Sequence, residues 1–117
     1  MEYELIKNIP VIRALDAPIA DPSSAMDLLA SVWHETGCAA MVLPKDCLDE
    51  SFFRLSSGLA GEILQKFSNY RMRLAVVGEF SHYTSKPLKD FIYECNQGGQ
   101  VGFWPDEESA LAWLNRE

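Results

Sequence analysis

Residues 57–78 read Ser57-Gly58-Leu59-Ala60-Gly61-Glu62-Ile63-Leu64-Gln65-Lys66-Phe67-Ser68-Asn69-Tyr70-Arg71-Met72-Arg73-Leu74-Ala75-Val76-Val77-Gly78. Leu59, Ile63, Leu64 and Phe67 recur at the spacing of one helical face, and Ala60 with Gly61 allows a neighbour to approach closely. Leu74 to Gly78 is then a short apolar run without alternation. That pattern marks a strand covered on both faces, and such strands are mostly parallel ones. A helix leading into a doubly covered strand is half of a crossover unit, so a similar strand should precede it. Cys38 to Leu43, ended by Pro44, supplies that strand.

The alternation continues in both directions. Thr84-Ser85-Lys86-Pro87 opens another helix, with Ser85 as its cap, and Leu88, Phe91, Ile92 and Cys95 form its apolar face. Gly98-Gly99 ends it, Val101 to Trp104 is a last short strand, and Pro105-Asp106-Glu107-Glu108 puts acidic groups where a helix dipole favours them. Ala110, Leu111 and Leu114 then face inward. Upstream, Asp21-Pro22 is a cap followed by a proline suited to the first helical position. Ala25, Leu28, Leu29, Val32 and Trp33 form one face of that helix, and Gly37 stops it. Tyr3 to Ile6 and Ile9 to Leu15 are apolar runs joined by Lys7-Asn8, an N-terminal hairpin with Asn8 able to take a positive φ. The predicted fold is α/β, ordered β-β-α-β-α-β-α-β-α. Its five-stranded sheet is mixed, with an N-terminal hairpin and a mainly parallel remainder, and residues 1–117 form a single domain. Lys45 to Leu55 reads as a loop with a helical turn pinned to the core by its aromatic residues.

Composition narrows the function. The chain has 117 residues, 10 Lys plus Arg against 17 Asp plus Glu, and a net charge of −7. The basic residues are scattered, which argues against a nucleic-acid partner, since binding to duplexes needs a clustered basic face. No apolar run approaches the roughly 20 residues of a membrane span, so no membrane partner is expected. The N-terminus, Met-Glu-Tyr-Glu-Leu-Ile, does not read as a signal peptide. Cys38, Cys47 and Cys95 are three thiols without paired spacing, which suits a reducing compartment and a cytoplasmic location.

Ligands of open α/β sheets bind beyond the carboxyl ends of the parallel strands. Two polar loops leave that rim. One runs from Pro44 to Ser57, and the other from Gly78 to Ser85 carries Glu79, Ser81, His82, Tyr83 and Thr84, with Lys86 just beyond. His82 can act as a base or bind an anion. A plainer reading makes these solvated loops and helix caps. There is no G-x-S-x-G elbow, glycine-rich phosphate loop or dinucleotide fingerprint, and the cysteines and histidines lack metal-ligand spacing. No metal, cofactor or catalytic residue is therefore assigned. Cys38 and Cys95 read as small core residues, Cys47 as a loop thiol whose acidic neighbours hold its pKa up, and Trp104 with Trp113 as a small exposed patch.

The stretches Phe52 to Tyr70, Leu74 to Ser81 and Ser85 to Glu94 are similar to a bacterial family catalogued as domain of unknown function 4180, and the resemblance extends over nearly the whole chain. That resemblance implies no reaction. More distantly, the element order is similar to the STAS domain of anti-sigma-factor antagonists. There a D-S-S-G motif opens the second helix, and a kinase phosphorylates its first serine to switch partner binding. Ser56-Ser57-Gly58-Leu59 stands at the matching place, with Leu55 where that family has Asp. The resemblance makes Ser56 the phosphoacceptor candidate and Ser57 the alternative.

The first functional expectation is a non-enzymatic, STAS-like regulatory module that binds another protein near Ser56, Ser57 and the second helix. The second is a small-ligand binder or enzyme on the rim between the 45–57 and 78–86 loops, using Ser57, Glu79, Ser81, His82 and Lys86. The third is a homo-oligomer formed through a strand edge or the C-terminal aromatic residues.

Overall fold

The computed structural model describes residues 1–116. Strand β1 (Glu2–Ile6) turns back antiparallel on β2 (Ile9–Ala14). The turn residues Lys7 and Asn8 both have positive φ, 54° and 66°. That pair of left-handed residues matches the twist of a two-residue hairpin, a conformation asparagine tolerates better than lysine. Helix α1 (Pro22–Thr36) leads to β3 (Ala40–Pro44), α2 (Leu59–Asn69) to β4 (Arg73–Val77), α3 (Lys86–Gln97) to β5 (Val101–Trp104), and α4 (Glu107–Asn115) follows. The sheet order is β1-β2-β3-β4-β5, with every pair after the hairpin parallel. This is the mixed five-stranded α/β arrangement read from the sequence.

Alternation along the strands divides the core in two. Met41, Leu43, Leu74, Val76 and Phe103 face the side covered by α1, α2 and α3. Val11, Val42 and Ala75 face the other side, where α4 presents Ala110, Leu111, Trp113 and Leu114. Strands covered on both faces explain the unbroken apolar runs at 41–43 and 74–76.

The helix boundaries follow their caps. Asp21 accepts the Ser24 N–H at 2.7 Å while the Ser24 hydroxyl accepts the Asp21 N–H, a reciprocal capping box. Gly37 closes α1 in the left-handed region, with its N–H on Trp33 O. Asp106 caps α4 through the Ser109 N–H at 2.7 Å. Ser85 occupies the cap position of α3, but its side chain makes no capping hydrogen bond.

Three further details differ from the sequence reading. Trp33 lies one residue past the buried Val32, at the edge of the helix's apolar face, and is 59% exposed where it walls a surface groove. Trp113 is buried against Trp104 and the Arg73 guanidinium, so the two C-terminal tryptophans form part of the second core and not an exposed patch. Among the thiols, Cys47 is buried, whereas Cys38 and Cys95 are half-buried. Burial, followed by the nearby Asp46 carboxylate, pushes the Cys47 thiol up.

Candidate functional site

The carboxyl ends of β3 and β4 launch the two loops predicted to form the rim. After β3 the chain does not wander. It makes three successive 3-10 turns, Lys45–Cys47, Glu50–Phe53 and Leu55–Ser57, and so enters α2 through a compact staircase. Asp49 accepts the Ser51 N–H at 3.0 Å and organises the middle turn. A short bridge, with the Ile19 N–H on Cys47 O at 2.7 Å and the Asp49 N–H on Ile19 O at 2.9 Å, ties the staircase to the loop after β2. Phe52 is fully buried and Phe53 nearly so, which pins the segment to the core as expected.

The loop after β4 folds against this staircase. The Tyr83 ring stacks on Phe53 with centroids 5.1 Å apart, and its hydroxyl donates to Glu50 Oε1 at 2.7 Å. Lys45 Nζ lies 5.2 Å from the centroids of both rings and 3.4 Å from Glu50 Oε2. The Tyr83 hydrogen bond, then Lys45, holds the Glu50 carboxyl below the usual range. Partial burial pulls the Lys45 ammonium down, but Tyr83 and Glu50 more than offset it and leave it raised. The two loops are therefore latched together, and aromatic rings occupy the space between them.

The sequence candidates divide around this latch. His82 stacks beside Tyr83, with ring centroids 4.1 Å apart. It borders a groove of about 310 Å³ shared with Glu50, Phe53, Arg54 and Ser85. His82 also lines a second groove, with Lys45, Asp46 and Glu79. Glu79 accepts the Ser81 N–H at 2.7 Å, and contacts with the Ser81 hydroxyl and N–H hold its carboxyl low. Lys86 instead pairs with Asp90 one turn along α3, at 2.8 Å. Among the described residues, no group of His, Cys, Asp and Glu has the arrangement of a metal site. Lys45, Glu50, Phe53 and Tyr83 organise the rim; the sequence reading places Glu50 and Tyr83 on the rim loops and Phe53 against the core, but chooses none of the four as a ligand-binding candidate. Their link spans 33 residues between Glu50 and Tyr83, and no local motif signals it.

Ser56 and Ser57 are both exposed but differ in their bonding. The Ser57 hydroxyl donates toward Ser51 O and Arg54 O, at 3.0 and 2.8 Å, and accepts the Leu59 N–H at 3.2 Å. It stitches the staircase to α2. Ser56 has no comparable side-chain bond and sits at the last 3-10 turn, immediately before that tie. Gly58 follows with φ 76°, a left-handed conformation that costs glycine little. As the residue flanking α2 it offers no side chain to cap the helix amides. A more apolar groove of about 270 Å³ lies elsewhere, between α1 and the end of α2, walled by Trp33 and Tyr70.

The sheet order and helix placement define a STAS-like α/β fold. Over 98% of this chain and 94% of the other, it is similar to the crystal structure of a candidate anti-sigma factor antagonist from Thermotoga maritima, with a TM-score of 0.53 and 16% identity. The chain belongs to the family described as Domain of unknown function (DUF4180), whose profile matches residues 6–114. No curated protein matches it. Among the described residues no helix is long and apolar enough to cross a membrane.

Proposed function

We propose that this chain is a non-enzymatic regulatory module of the cytoplasm, that a protein partner reads the entrance to α2, and that phosphorylation of Ser56 switches this binding. One observation carries the reading. Ser56 is exposed and free of the bonds that tie down Ser57, and it stands beside a helix start where Ser57 takes the Leu59 N–H and Gly58, at the cap position, supplies no side chain for the amides that follow. A phosphoryl group adds nearly two negative charges, which the N-terminal amides and dipole of a helix favour. The similar fold of a candidate anti-sigma factor antagonist supports a protein-binding role.

The test is phosphopeptide mapping of the protein isolated from its native cells under several growth conditions, followed by partner capture with Ser56→Ala and Ser56→Asp. The expected result is phosphate on Ser56 and opposite effects of the two variants on one captured partner. A consistently unmodified Ser56, or identical capture by both variants, removes the switch. Ser57→Ala should instead loosen the staircase, because the donation shared between Ser51 O and Arg54 O and the bond from the Leu59 N–H are lost there.

A further inference from the structure

β5 is an outer strand of the sheet, with β4 on one side only. Its pairing register runs Leu74↔Val101, Ala75↔Gly102, Val76↔Phe103 and Val77↔Trp104, with the Leu74 N–H on Gln100 O and the Gly78 N–H on Trp104 O. In a parallel ladder of this register, alternate residues of β5 bond to β4 and the others point their backbone groups outward. Val101 and Phe103 are the outward residues. An outer strand with free N–H and C=O groups is a template for pairing with another chain.

At the middle of this edge the template is occupied. Asn96, near the end of α3, donates from Nδ2 to Phe103 O at 3.1 Å and accepts the Phe103 N–H on Oδ1 at 2.6 Å. One side-chain amide thus makes the two bonds that the N–H and C=O of one residue in an antiparallel neighbouring strand would make. Only one orientation of the amide satisfies both, so its placement is fixed by the strand. The contact does not depend on the α2 entrance, which lies on other elements.

We infer that Asn96 is a side-chain plug that keeps the β5 edge from pairing with the β5 edge of a second copy. The side chains of Val101 and Phe103 are already buried beneath α3, so the backbone is what this edge offers a neighbour. Removing the amide re-exposes one N–H and one C=O at the centre of a four-residue strand, and an identical strand can satisfy both.

Amide hydrogen exchange and sedimentation velocity test this together. In the unaltered chain the Phe103 amide should exchange at least tenfold more slowly than an unbonded edge amide. Rapid exchange there overturns the inference, whatever the variants do. Asn96→Ala and Asn96→Leu should sediment as monomers when dilute and as dimers when concentrated, with the Phe103 amide fast in the monomer and slow again in the dimer. A folded Asn96→Ala chain that stays monomeric at high concentration reduces Asn96 to a tie between α3 and β5 and overturns the plug. Association with the Phe103 amide still fast points to another surface and does the same.

Discussion

Tyr83 joins two loops that the chain places far apart, and its hydroxyl is the polar half of the junction. Without that hydroxyl the ring can still stack on Phe53, while Glu50 loses the hydrogen bond that contributes most to its low pKa. Tyr83→Phe should therefore leave the fold intact and move the Glu50 titration upward toward the ordinary carboxylate value of about 4.3. A carbon-detected NMR titration of the side-chain carboxyl reads this directly, and an unmoved Glu50 would mean that Lys45 alone sets its charge. A different residue-scale constraint lies in β5. The Trp104 indole folds back over Gly102, with its Nε1 only 2.4 Å from where a Cβ would stand, so this strand position accepts no side chain while the tryptophan keeps its place.

At the scale of elements, the hairpin departs most from the residues its turn prefers. Lys7 holds φ 54° and Asn8 φ 66°, where Asn-Gly is the pair best suited to two left-handed residues. Replacing Lys7-Asn8 by Asn-Gly should stabilise the protein by up to about 1 kcal/mol, the relief of the left-handed penalty less the freedom that glycine adds to the unfolded chain, which a thermal melt would read as a rise of a few degrees. An unchanged or lower Tm would show that Lys7 is not strained. Helix boundaries were legible in the sequence because their signals are local. Asp21-Pro22, Gly37 and Asp106 each act on a backbone group within about a turn, and the structure places them at those ends. Trp33 was misread because its spacing fits the apolar face, whereas it sits at the edge of that face beside an open groove. The staircase at 45–57 was legible only as a pinned loop. Its shape comes from Asp49, Ser57 and a backbone bridge to Ile19, and periodicity records none of these.

For the whole molecule, the charge distribution sets the response to acid. Asp21, Asp49, Glu50, Glu79 and Asp106 all have carboxyls held low, chiefly by hydrogen bonds from Ser24, Ser51, Tyr83, Ser81 and Ser109. A group whose pKa is lower folded than unfolded adds stability above its unfolded value and loses it as pH falls through its folded value. The midpoint of urea unfolding should stay level from pH 7 to about 5 and then fall steadily below about pH 4, where these carboxylates take up protons. A midpoint that rises on acidification would mean that repulsion among the excess acidic groups of this −7 chain outweighs the caps. The overall architecture was readable because each strand-helix alternation is local and right-handed crossover leaves few topologies. The rim was not, since its latch is made of tertiary contacts.

The division of the sheet into a face under three helices and a face under one also makes the two sides unequal in how they are closed. Three helices share the cover of the first side. Ile9, Val11, Val42 and Ala75 on the opposite side rely on residues 107–115. Until that short segment docks, the folding chain carries a bare apolar stripe across the middle of its sheet, the kind of surface through which partly folded chains aggregate. Fraying of α4 would bare the same stripe in the finished molecule.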